Sequence, residues 1–215
     1  MTKATAARII AAAETLFYEH GLRSVGVDAI AERAGVTKRT LYNHFQSKDA
    51  LIAAYLEARD SATVERYRNW LGDPVRPLPE RVAGMFAALA DHARNPKWRG
   101  CGFTRAAVEL AGQPGHPAVL MAARHKNRFA AWLEQELRDG GARDPRPLAL
   151  HLAMMIEGAI AYMLINRDTS YALSAGDAAA RLVAHDLYGE RQCTTKTVSQ
   201  PEAAVEASGH QFTHK

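Results

Sequence analysis

The chain has 215 residues, 47% of them hydrophobic and 23% charged, and a formal net charge of +4. That is ordinary globular composition, long enough for one or two small domains with real cores, and it argues against a disordered or fibrous chain. Two cysteines, Cys101 and Cys193, without CxxC spacing, argue against a disulfide scaffold and fit a reducing cytoplasm. The basic excess permits nucleic-acid binding without requiring it.

Residues 5–19 predict a first helix, with Ile9, Ala13, Leu16 and Phe17 on one stripe of period 3.6. Glu14 and Glu19 interrupt any apolar run there, so the N-terminus is not read as a signal peptide. His20 and Gly21 end the helix, and Leu22 and Val25 tuck the connecting loop onto the core. A second helix covers 27–34, with Val27, Ile30, Ala31 and Ala34 as its stripe and Gly26 as a second-rank N-cap. Gly35 turns the chain, Val36 is buried in the turn, and Thr37 caps a third helix. On that helix Leu41 and Phe45 face the core. Lys38, Arg39, Thr40, Tyr42, Asn43 and His44 occupy the other faces.

Two short helices around a glycine turn, the second mostly exposed, make a helix-turn-helix that reads DNA. Residues 37–48 hold Lys38, Arg39 and Lys48 and no acid. Arg39 and Lys38 are the expected base or phosphate contacts, since Arg grips guanine bidentately and Lys neutralises phosphate. Thr37 stands at the helix start beside them. Tyr42 offers a ring for a thymine methyl and a hydroxyl for phosphate, or else packs against the first helix. Thr40 and Asn43 are candidate base-edge contacts. His44 is a phosphate donor or a structural cap, and Lys48 a phosphate contact. The competing reading for each is an ordinary solvated side chain.

Ser47 caps a fourth helix reaching to about residue 70, with Asp49 suited to its first turn. Gly72-Asp73-Pro74 and Pro77-Leu78-Pro79 break the chain and form a possible boundary between head and body. Residues 80–95 carry Val82, Phe86, Leu89 and Ala90 at helical spacing, 96–102 form a loop and 103–111 a short helix. A long helix covers 117–139, with Leu120, Ala123, Ala130, Leu133 and Leu137 inward. Residues 147–165 touch the length of a membrane span, but Glu157 would lie near the bilayer centre, and the better reading is a helix buried all round. Leu148, Leu152, Met155, Ala159 and Met163 would face its own subunit. Leu150, Met154, Gly158, Ala161 and Ile165 would need a partner. Ser174 caps a last helix ending near Tyr188, and the remainder reads as a disordered tail.

Phe86, Phe103, His125, Phe129, Trp132 and Met155 are candidates for lining a mostly apolar ligand cavity, against a reading of plain core packing. Glu109 and Glu157 read as buried carboxylates that either touch a ligand, pair with an arginine or point outward. Neither a catalytic constellation nor a nucleotide loop is legible, so no enzyme and no cofactor is expected. The scattered histidines and isolated Cys101 suggest no metal site.

The run IAERAGVTKRTLYNHFQSKDAL resembles the signature of the TetR/AcrR family of bacterial transcriptional regulators. Its carriers here are Ile30, Ala31, Ala34, Gly35, Val36, Thr37, Leu41, Tyr42, His44, Phe45, Lys48 and Leu51. The segment from Arg99 through Gly100, Cys101, Gly102 and Phe103 to Glu109 is similar to a motif of one branch of that family. Val25 and Gly26 stand where the family usually has a hydroxyl, and Arg39 where it often has glycine. The resemblance implies an all-α fold: a three-helix head on a helical body. It also implies a homodimer joined through the last two helices of the body. The heads would read a pseudo-palindromic operator in double-stranded DNA until a small, largely apolar effector releases them. On this reading residues 1–48 form the DNA-binding domain, 49–188 the ligand-binding and dimerisation domain, and 189–215 the tail. The competing reading is a ligand-independent DNA-binding protein of the same fold acting through a protein partner. Both readings place the protein in the cytoplasm, off the membrane.

Overall fold

The computed structural model describes residues 2–189, so all but the first residue of the tail expected over 189–215 lies outside the described residues. Among the described residues there are helices and no strands. They are α1 (Lys3–His20), α2 (Val27–Ala34), α3 (Lys38–His44), α4 (Lys48–Leu71), α5 (Leu78–Ala93), α6 (Gly102–Glu109), α7 (Pro117–Asp139), α8 (Pro145–Asn166) and α9 (Ser170–Tyr188).

Local chemistry sets most of the ends. The Thr37 hydroxyl accepts from the Thr40 amide at 3.1 Å and the Ser47 hydroxyl from the Ala50 amide at 3.0 Å, capping α3 and α4. Gly35 closes α2 in the left-handed region at φ +62°, which glycine adopts without steric cost. Two ends differ from expectation. Pro79 does not break α5 but sits in its first turn, where a missing N–H costs nothing. Ser174 lies inside α9, which begins four residues earlier. There the Asp168 carboxylate accepts from the Ser170 amide at 2.8 Å and from its hydroxyl at 2.7 Å.

Two apolar clusters organise the molecule. The head cluster gathers Ile9, Phe17, Ile30, Leu41, Leu51 and Leu56. It also takes in Phe103 of α6 and Met121 of α7, so the first three helices are seated on pieces of the body. Leu41 is the one buried residue of α3, and Phe45 is half-buried at its end. The body cluster holds Val64, Tyr67 and Leu71 of α4 with the inward faces of α5, α7, α8 and α9. The single helix α4 therefore runs through both cores. On α7 the buried stripe is Ala118, Met121, Ala122, His125, Phe129, Trp132, Leu133 and Leu137, so the expected Leu133 and Leu137 are inward while Leu120 and Ala123 face solvent. An aliphatic-only stripe misses the first half of the helix because a histidine and an aromatic carry the middle of the inward face.

Helix α8 packs against α7 and α9. Leu148, Leu152, Ile156, Ala159 and Met163 are buried, and Met155 is half-buried. Leu150, Met154, Gly158, Ala161 and Ile165 all lie on the exposed side, joined by Tyr162. The helix is long and apolar enough to cross a membrane by composition. However, Glu157 near its middle is held in an ion pair with Lys126, as a folded core helix requires and a lipid-facing one would not.

Candidate functional site

Two places on the molecule carry unusual chemistry, and they are joined by a polar seam. The first is the exposed side of α3. Arg8 from α1 donates to the carbonyls of Ala34 at 2.6 Å and Gly35 at 3.1 Å, which satisfies the orphan acceptors of the turn and fixes the angle between α2 and α3. From that seat Lys38, Arg39, Tyr42 and Asn43 point outward. Lys38 meets the Asp28 carboxylate at 3.0 Å, an exposed pair that a phosphate can displace at little cost. Arg39 forms no ion pair among the described residues. The Thr37 and Thr40 hydroxyls engage each other at 2.9 Å. His44 is half-buried with its ring near Phe45, and Lys48, half-buried, lies 3.5 Å from the Arg23 carbonyl. Of the eight residues singled out in the sequence, Thr37, Lys38, Arg39, Tyr42 and Asn43 are exposed, and Thr40, His44 and Lys48 are half-buried.

The second place is a cleft of about 580 Å³, its open mouth included, between α1, α4, α5, α7 and α8. Phe103, His125 and Phe129 line it, as the sequence suggested. Phe86, Trp132 and Met155 do not. Phe86 fills the space against Gly176 where α5 meets α9, the Trp132 indole donates to Glu136 at 3.1 Å, and Met155 packs against the body core. Arg59, Thr63, Arg66 and Trp70 also line the cleft, a stripe on α4 that an apolar pattern search passes over. Their spacing of four, three and four residues was the available signal.

The polar groups of the cleft are mostly committed to one another. Lys126 donates to Glu157 and, at 3.3 Å, to the Cys101 sulfur, while Thr104 donates to the other Glu157 oxygen at 2.6 Å. Burial pulls the Lys126 ammonium down, but Cys101 and Glu157 outweigh it and hold its pKa above the ordinary lysine value. Behind the wall, Asp60 is buried and bonds His125 Nδ1 at 2.6 Å and Arg128 at 2.5 Å. His125 stacks on Phe103 at 3.7 Å, and burial keeps its pKa below the ordinary value despite the Asp60 bond. Gly100 at φ +77° lies so near Leu164 that a Cβ would come within 2.5 Å of its Cδ1, so a side chain at this edge of the cleft would be strained and would displace Leu164.

The seam joins cleft to head. Tyr18 of α1 accepts from the Arg99 amide at 2.8 Å, donates to the Gly100 carbonyl at 3.3 Å, and carries the Arg59 guanidinium 4.9 Å above its ring. Arg59 in turn holds Glu14 at 2.7 Å. At the far end of α6, Glu109 accepts from the Leu22 and Arg23 amides at 2.7 and 3.2 Å, clamping the loop that leads into α2. His116 caps α7 by accepting from Ala118 at 3.1 Å, so its other nitrogen is the donor to Asp49, 3.2 Å away in the first turn of α4. Sequence reasoning singled out Glu109 without its partner and missed Tyr18 and Asp60, because single polar residues at helical spacing carry no pattern.

Against known proteins, the family profile described as bacterial regulatory proteins, tetR family, matches residues 9–55. The crystal structure of SCO4454, a TetR-family transcriptional regulator from Streptomyces coelicolor, is 31% identical. The match covers 87% of this chain and 97% of that one, with a TM-score of 0.71. The HTH-type transcriptional repressor KstR2 of Mycobacterium tuberculosis is 30% identical over 57% of this chain and 60% of its own length. The HTH-type transcriptional regulator YjdC of Escherichia coli is 23% identical over 72% of this chain and 83% of its own.

Proposed function

The chain belongs to the TetR family of bacterial regulatory proteins, and on that premise we propose that it is a homodimeric repressor released from its operator by a small molecule bound in the cleft. The observation that carries this reading is the shared wall: Tyr18 of the head and Arg59 of α4 line the cleft and also hold the head to the body. An occupant that moves either side chain moves the seat of α1, and with it the spacing of two recognition helices. Those helices must reach successive major grooves about 34 Å apart. Thr37, Lys38, Arg39, Thr40, Tyr42, Asn43, His44 and Lys48 are the DNA-facing set. Residues 1–48 are the DNA-binding unit and 49–188 the ligand-binding and dimerisation unit, with α4 crossing between their cores. The exposed apolar side of α8 is the dimer face. Such a regulator works in the cytoplasm, where the chromosome lies.

The test is operator binding by the purified chain on sequences selected from random duplexes. Affinity falls steeply with salt, as phosphate contacts require. Lys38→Ala with Arg39→Ala lowers it by at least about a hundredfold, since each groove contact is worth about 1–3 kcal/mol and the dimer loses both sets. The melting temperature stays put, because both side chains are exposed. Undiminished affinity in that variant sinks the assignment. Operator release by small molecules separates this reading from a ligand-independent regulator acting through a protein partner.

A further inference from the structure

Three side-chain cations face the cleft: Arg59, Arg66 and Lys126. Two are matched, Arg59 by Glu14 and Lys126 by Glu157. Arg66 has no carboxylate partner among the described residues; its recorded polar contact is His92 Nε2 at 3.5 Å. Burial first, then the Arg66 and Arg59 charges, hold the His92 pKa below the ordinary value. His92 is therefore a neutral acceptor that orients the Arg66 guanidinium without cancelling its charge. Flat apolar walls stand beside it. Trp70 lies 5.4 Å from His92 and 4.8 Å from Tyr67, and Tyr67 lies 4.8 Å from Phe129.

We propose that the effector is an organic carboxylate with a flat apolar body, its carboxylate held by Arg66 and its body against Trp70, Tyr67 and Phe129. This rests on the reading that the cleft holds the effector. A neutral apolar occupant would strip water from an unmatched guanidinium and give nothing back. A cation would meet Arg66 and Arg59, because Glu157 is already taken by Lys126 and Thr104. A planar carboxylate matches the guanidinium fork with two parallel bonds. A phosphate dianion would need a second unmatched cation, which the cleft lacks among the described residues.

The test uses three near-isosteric probes on the full chain: 2-naphthoate, 2-naphthamide and 2-naphthylmethylammonium. Trp70 and Trp98 line the cleft and report occupancy by fluorescence. Naphthoate binds at least tenfold more tightly than the amide, and the ammonium more weakly than both. Arg66→Gln and Arg66→Met abolish the preference for acid over amide, by weakening acid binding and not by weakening amide binding; Arg66→Lys restores part of it. Equal affinity of acid and amide in the wild type, or a preference that survives Arg66→Gln, overturns the carboxylate. Binding of none of the three overturns it as well. Operator release is read in parallel. Release by the amide as readily as by the acid overturns this inference and leaves the ligand-released repressor standing. Failure of every bound probe to release the operator counts against the repressor reading instead.

Discussion

The two apolar cores of the molecule end differently. The head core is closed: outside Ile9, Phe17, Ile30 and Leu41 the surface of the first three helices is polar, with Tyr42 its one large exposed hydrophobic. The body core is open: Leu150, Met154, Tyr162 and Ile165 of α8 continue outward from it, with Tyr171 and Leu173 of α9 beside them. Between the cores the contacts are largely polar ones of fixed geometry: Tyr18 on Arg99 and Gly100, Glu109 on the 22–23 loop, Asp60 on His125. A closed core leaves nothing for a second copy to cover, whereas an open one leaves apolar surface that a second copy would bury. A seam of directional bonds has few alternative arrangements, which is what the proposed release of the head from its operator calls for. Helices α4 and α7 each contribute side chains to both cores.

The strongest way to break this contrast is to make the open face unable to close. Gly158 and Ala161 lie on it, and a Cβ at Gly158 would meet nothing within 4 Å in the monomer. Gly158→Asp with Ala161→Asp therefore leaves the monomer's packing alone. In a two-fold dimer it places four carboxylates in one apolar interface. Uncompensated buried charges cost several kcal/mol, so the dissociation constant rises by at least about a thousandfold and sedimentation finds monomers. A dimer of undiminished strength would mean that the copies pair elsewhere.

These outcomes also mark what could be read in the sequence. The division of α8 into an inward and an outward face followed from period alone, because every residue on it is large or small in a helical rhythm. The Thr37 and Ser47 caps and the Gly35 turn were legible for the same local reason. The cleft was not. It is assembled from Tyr18, Arg66, His92, Lys126 and Glu157, which lie on five different helices, and only the packing of α4 on α5, α7 and α8 brings them together. Phe86 and Trp132 illustrate the converse: aromatic size predicts burial but not which cavity, if any, a ring borders.

The seam can be loosened without touching either core. Glu109→Ala removes the acceptor of the Leu22 and Arg23 amides, one part-buried and one exposed, and costs about 1–2 kcal/mol, or roughly 2–8 °C in Tm. Hydrogen exchange at those two amides accelerates while exchange within α8 and α9 is unaltered. The variant still binds operator, but effector-driven release is blunted, because the 22–23 loop no longer follows α6. Unchanged exchange at Leu22 and Arg23 would remove Glu109 from the seam.

The smallest expected effect is a dependence on pH, and it falls on the wall rather than the face. Burial lowers the folded-state pKa of His125 below the ordinary value of about 6.5. As pH drops below that value the unfolded chain takes up a proton that the folded chain resists. Stability is therefore full above about pH 6.5 and declines on acidification, by less than about 1.4 kcal/mol per pH unit for one residue. His92 is shifted in the same direction and adds to the slope. His125→Gln keeps a donor toward Asp60 but removes the titration, so its melting temperature falls less between pH 7.5 and 5.5 than that of the wild type. A profile identical to wild type would mean that His125 is protonated alike in both states, and that the Asp60 bond, not burial, governs it. The α3 face supplies the control: Lys38 and Arg39 are exposed and far from either histidine in the sequence, so their removal leaves the slope unchanged.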